Sequence, residues 1–222
     1  MSHAGLSAYL CGVRYLWVWV GAVALAQVDP RADQLVRRSR KKLKSLEFMT
    51  VQFTYSVENR ADTTQKRINR AGTLWYRPRQ NKFRIDLGDV AILSDGKTVW
   101  QFLKKEREVN ISSYDPKEGF SLDRVFRVYD QDMKVRFDKT ETVGGRSVHK
   151  VSLFPISDTT EYFRVEVWID PQTELPQRMR LSNRDGTVVE YQLKGYDTRP
   201  LADSLFVFDV KKHPGVQVID LR

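Results

Sequence analysis

From residue 27 onward, the side chains that most often carry chemistry are few and scattered. Only two histidines occur there, His149 and His213, and neither has a partner at metal-ligand spacing. His149 sits inside a strand pattern, the setting of a hydrogen-bonded structural histidine. Ser94-Asp95-Gly96 joins a hydroxyl to a carboxylate, but it separates two apolar runs and reads as a hairpin turn. No G-x-S-x-G elbow, P-loop or G-x-G-x-x-G fingerprint is present. Asp86, Asp89, Glu161 and Glu166 are acids that strands could bring together, yet nothing around them marks a general acid–base pair. The one cysteine, Cys11, lies near the N-terminus, so the remainder has no thiol nucleophile, disulfide or thiolate metal site. These residues mark no catalytic site and call for no metal and no cofactor; an exported hydrolase with a dispersed acid pair is the remote alternative.

Charge narrows the partners without choosing among them. The 222 residues carry 37 basic and 28 acidic side chains, a net charge of +9, which favours nucleic acid, an anionic membrane surface or acidic proteins. Trp75, Trp100 and Phe102 could stack on bases. They alternate like sheet-face residues, however, and no RNA-recognition signature accompanies them, so nucleic acid is set aside. At 41% hydrophobic and 29% charged, the chain is long enough to bury one good-sized core.

The compartment is read from the first residues. Tyr15 to Ala26 is uncharged, follows Arg14 and is too short to span a bilayer, which takes ~20 residues. It ends in Ala24-Leu25-Ala26, the small-x-small pattern of a signal-peptidase site. Residues 1–26 are therefore expected to be a cleaved signal peptide, with residues 27–222 forming one exported domain that begins at Gln27. Cys11 precedes the apolar run, which argues against lipid attachment there.

The elements that must position any site follow in order. Asp29-Pro30 and Asp33 start a helix to about Leu46, with Ala32, Leu35, Val36, Ser39, Leu43 and Leu46 on one face. Arg37, Arg38, Arg40, Lys41, Lys42 and Lys44 crowd the rest; they form a solvated face or a contact with anionic lipid or an acidic partner. The period then changes to two at Met49, Val51, Phe53, Tyr55 and Val57. Roughly eleven strands follow in all, the last near 205–210, too many for a small flat sheet. They are interrupted once: Asp115-Pro116-Lys117-Glu118 is a helix start, and Leu122, Val125, Phe126 and Tyr129 form the apolar stripe of a short lid helix. The predicted fold class is α+β, an unclosed, strongly curved antiparallel half-barrel with helices over its concave apolar face. Met49, Val51, Phe53, Leu74, Trp100, Phe102, Val165 and Val167 are the expected apolar lining, although alternation does not say which set faces inward.

Several short motifs occur in a fixed order. They are Gly72-Thr73-Leu74-Trp75-Tyr76-Arg77-Pro78, Lys82-Phe83-Arg84, Ile92-Leu93-Ser94-Asp95-Gly96-Lys97-Thr98-Val99-Trp100, Val151-Ser152-Leu153-Phe154-Pro155, Trp168-Ile169-Asp170-Pro171 with Leu175-Pro176, Phe206-Val207-Phe208 and Pro214-Gly215-Val216-Gln217-Val218-Ile219-Asp220. In this order they resemble the periplasmic outer-membrane lipoprotein carrier family, LolA, over essentially all of residues 27–222. The resemblance implies a monomeric, non-enzymatic periplasmic carrier whose cavity shelters the acyl chains of lipoproteins. It also implies partners: acylated lipoproteins, an inner-membrane lipoprotein-releasing ABC transporter and an outer-membrane receptor. A lipid- or lipoprotein-sensing module on the same fold is the alternative. By the same resemblance Arg77 is the latch that holds the lid closed, and Phe83 lies near the cavity mouth. The step from Gly72 to Pro78 is one residue shorter than the usual pattern, and one residue turns a strand side chain to the other face. Arg84 is therefore the second latch candidate.

Overall fold

The structure, a computed structural model, describes residues 29–62, 64, 66–115 and 133–222. One α-helix is found among them, α1 (Pro30–Ser45). Asp29 caps it: its carboxylate accepts the N–H of Arg31 and Ala32, while Pro30 occupies the first helical position where no N–H is needed. Twelve strands follow: β1 (Met49–Asn59), β2 (Ile68–Arg77), β3 (Lys82–Asp86), β4 (Val90–Ser94), β5 (Thr98–Leu103), β6 (Glu108–Ser113), β7 (Met133–Val143), β8 (Arg146–Pro155), β9 (Tyr162–Ile169), β10 (Pro176–Asn183), β11 (Thr187–Asp197) and β12 (Gln217–Asp220).

They form one sheet in the order β12-β6-β5-β4-β3-β2-β1-β11-β10-β9-β8-β7. Two meanders, β1 to β6 and β7 to β11, are joined where β1 pairs with β11. Every pairing is antiparallel except that of β12 with β6. The Ser94-Asp95-Gly96 turn is built as its residues dictate. The Asp95 carboxylate accepts the N–H of Lys97 and Thr98 at 2.9 and 2.8 Å, and Gly96 takes φ +90°.

The inner face carries the main core. Ile92 on β4 and Val135 on β7 belong to the same buried cluster, although the stretch of sheet from one to the other is nine strands wide. Laid flat, the span would be ~38 Å across, beyond the reach of any shared side-chain contact. The sheet therefore curls. α1 lies in the hollow and buries Ala32, Leu35, Val36, Ser39 and Leu43, the stripe read from the sequence. At the β4–β6 end the outer face has a second, smaller core of Ala91, Leu93, Val109 and Phe208, with Trp100, Phe102 and Val216 packed on it.

The C-terminal stretch differs from expectation. Residues 205–210 are not a strand; tight turns at Asp203–Phe206 and Val210–Lys212 carry the chain over the outer face. Phe206 and Phe208 are buried there, at 0% and 7% exposure, Phe208 within the outer core, so side-chain burial rather than ladder pairing fixes this segment. The strand forms later, at β12, once the chain has reached the free edge of β6. The lid helix, with Leu122, Val125, Phe126 and Tyr129, falls outside the described residues, as do residues 1–28.

Close packing across β1 and β2 gives a direct test. Gly72 sits opposite Phe53, and a Cβ there would lie 2.6 Å from the Phe53 ring and 2.7 Å from the Asp86 carbonyl oxygen. Gly72→Ala is predicted to cost about 1–3 kcal/mol of unfolding free energy. Urea denaturation checks this, and an unchanged midpoint contradicts it.

Candidate functional site

The candidate site is the hollow under α1. Met49, Val51 and Phe53 on β1, Leu74 on β2, Phe83 on β3, and Val165 and Val167 on β9 all point into it and are at most 2% exposed. Pairing explains why they meet: Val51 lies beside Leu74, and Met49 beside Tyr76, which in turn lies beside Phe83. Tyr191, Leu193, Met179 and Leu153 complete the same face from β11, β10 and β8. The result is one continuous apolar surface closed by a helix.

Trp100 and Phe102 are not part of it. Trp100 pairs with Leu93 and Phe102 with Ala91, and both aromatics pack on the outer core under the C-terminal segment. Phe102 meets Phe208 and His213 at ring distances of 5.0 and 4.7 Å. β4 is buried on both faces at this end, so apolar alternation on β5 carries no sign of which side is inward.

Both candidate latches also lie on the outer face. On β2 the buried inner residues are Leu74 and Tyr76, which turns Arg77 outward. Its guanidinium pairs with Asp203, beside Lys82 Nζ at 3.0 Å from the same oxygen, and stacks over the Phe48 ring at 4.7 Å. Arg77 therefore ties down the C-terminal segment. The Lys82 and Arg77 contacts hold the Asp203 carboxyl below its ordinary value despite some desolvation. Arg84 stands between buried Phe83 and Ile85, over the Trp75 ring and 3.8 Å from Asp86.

What fastens α1 is Asp29, a role that capping rules alone do not reveal. One oxygen caps the helix, and the other accepts the Phe137 N–H at 3.1 Å. That N–H is available because β7 is irregular between Phe137 and Lys139. Arg31 then lies over the Phe137 ring at 4.0 Å, and Arg38 approaches Glu174 at 3.6 Å. Desolvation pushes the Asp29 carboxyl up, but the backbone N–H bonds from Ala32, Phe137 and Arg31 outweigh it and leave its pKa below the ordinary value.

The dispersed acids form no reactive pair. Asp86 accepts Lys104 at 2.8 and 3.0 Å, and Asp89 accepts Lys105 at 2.7 Å. Glu166, 4% exposed on the outer face of β9, pairs with Lys150 at 2.5 Å. His149 is bonded to Thr140 at 2.9 Å, and burial first, then Arg31 and Arg38, lower its pKa.

The two fastenings make opposite predictions in amide exchange. Arg77→Leu is expected to speed exchange over residues 203–216 and leave α1 unchanged. Asp29→Asn keeps a capping oxygen but cannot accept the Phe137 N–H with its amide group, so exchange should quicken at Phe137 and along α1. The Asp29 contribution is present above its unfolded pKa and is lost as pH falls through the lower folded value. Faster α1 exchange in Arg77→Leu would contradict this assignment.

The family model described as outer membrane lipoprotein carrier protein LolA matches residues 44–209. No curated protein matches in sequence. Among solved structures, an uncharacterized conserved protein from Thermus thermophilus is similar at 14% identity and TM-score 0.53, over 86% of this chain and 99% of that one. LprF from Mycobacterium bovis is similar at 18% identity and TM-score 0.50, over 79% and 97%. At these identities the likeness is one of fold. The family match spans most of the chain and coincides with the curved sheet around the apolar hollow: the chain belongs to the LolA family of outer membrane lipoprotein carrier proteins.

Proposed function

We propose that this protein is an exported, non-catalytic carrier that shelters the acyl chains of lipoproteins beneath α1 and ferries them across the periplasm. It would receive them from an inner-membrane lipoprotein-releasing ABC transporter and pass them to an outer-membrane receptor. The observation that carries the reading is the continuous apolar face, roofed by a helix that is apolar on one side only.

Energetics fit a reversible exchange. Exposing an acyl chain to water costs ~0.8 kcal/mol per CH₂, more than ~10 kcal/mol for a long chain. Leu35, Val36 and Leu43 of α1 contribute about 5–9 kcal/mol by their own burial on the same surface. The two terms are of similar size, so a chain can displace the helix without being trapped. A rigid apolar core in place of α1 would refuse the cargo, and an open hollow would bind it too tightly to release.

The folded protein is expected to bind an environment-sensitive fatty-acid probe saturably. Leu35→Ala weakens only the closed, empty state, so it should bind the probe more tightly, by roughly tenfold for each 1.4 kcal/mol lost from closure. Absence of saturable binding by a folded sample would overturn the reading.

A further inference from the structure

At the C-terminal end of α1 the structure holds a cavity of about 800 Å³, bordered by the helix, the β7–β8 hairpin, the β9–β10 turn and the end of β11. Its walls are of two kinds. Leu46, Val143, Leu175 and Leu193 are apolar, and Leu175 and Leu193 belong to the inner core itself. Lys42, Arg146 and Lys194 are cationic, and no acidic side chain lines the space among the described residues.

A local irregularity makes the mixture possible. Lys194 pairs with Gln52 and Tyr196 with Val51, so Gly195, at φ +61°, is an extra residue between them. The bulge lets inward Leu193 and outward Lys194 border one cavity. Among the described residues, Lys42 and Lys194 have no ion-pair partner. Arg146 reaches Asp170 only at 3.6 Å, and that carboxylate already accepts the N–H of Gln172 and Thr173.

We propose that this cavity receives the phosphodiester headgroup of an anionic diacyl lipid, whose acyl chains pass over the apolar floor and in beneath α1. The proposal rests on the carrier reading above and extends its cargo to anionic phospholipids. The volume lies within the ~300–1,000 Å³ of ordinary ligand sites. Three cations supply charge-assisted hydrogen bonds to phosphate oxygens, and Gln172, Thr173 and Gln177 add neutral donors. A neutral acylated terminus would leave Lys42 and Lys194 uncompensated. The seven basic residues of α1 stand against a single acid, a balance that favours approach to an anionic bilayer.

Purified protein is incubated with vesicles of phosphatidylcholine alone or of phosphatidylcholine with phosphatidylglycerol, re-isolated, and its retained lipid identified by mass spectrometry. The parent should retain phosphatidylglycerol preferentially. Combined Lys42→Gln, Arg146→Gln and Lys194→Gln should lower that retention by roughly tenfold or more while fatty-acid probe binding persists. The same exchange at Lys66, Lys97 and Lys211, exposed and outside the cavity, should change it little. Equal retention of both lipids with intact probe binding overturns the headgroup site and leaves the carrier reading standing. Inorganic phosphate bound as tightly as the lipid, or an acidic peptide bound in place of lipid, also overturns it. Loss of both probe and lipid binding by the folded parent overturns the carrier reading with it.

Discussion

A sheet this wide cannot leave its inner face bare, and on the proposed carrier reading it cannot have that face filled for good. That constraint organises the molecule. The face is apolar from β4 to β7, and the described element that covers it is a helix with one apolar stripe and a net charge of +6 along its length, from seven basic residues and Asp33. Such an amphipathic helix gains most of its stability from the surface on which its apolar face packs. Its hold is accordingly divided. Apolar burial provides most of it, and position is fixed at the N-terminal end by a carboxylate shared between the cap and an irregular point in β7.

The outer face solves the opposite problem, that of staying in water while remaining stiff. Ser152, Glu166, Arg180 and Glu190 stand side by side across β8, β9, β10 and β11. Arg180 holds Glu190 at 2.6 Å, and Arg178 holds it from the other side at 2.6 Å. Burial pushes the Glu190 carboxyl up, and these two guanidinium groups pull it below the ordinary range. Trp168, 2% exposed, is roofed by Lys150 and Arg178 at 4.9 and 4.7 Å from its ring. Long charged side chains thus cover the sheet with their stems and keep their heads hydrated. On the proposed reading, the inner face then exchanges its cover while the strands beneath it hold their curvature.

Much of this is legible in the sequence, for identifiable reasons. The α1 stripe, its Asp29-Pro30 start, and the alternation of Met49, Val51 and Phe53 are local patterns, and local physics decides them. Alternation misplaces Trp100 and Phe102 because that end of the sheet is apolar on both sides, a consequence of the C-terminal segment folding back over it. Nothing near residue 100 announces a cover that arrives a hundred residues later. Arg77 shows the same limit. Its outward direction follows from the one-residue shift, but its partner Asp203 lies 126 residues away. Asp29 is visible as a cap, and its second bond to Phe137 is not, since that depends on an irregularity in a distant strand.

The central claim is that α1 and an acyl chain compete for one surface. Hydrogen–deuterium exchange of the α1 amides, measured with and without a saturating fatty-acid ligand, addresses it most directly. The account predicts that loading speeds exchange along residues 30–45 while the amides of β1, β9 and β10 stay protected. Unchanged or slower α1 exchange in the loaded protein would show that the helix keeps its place when cargo binds, and would contradict the account.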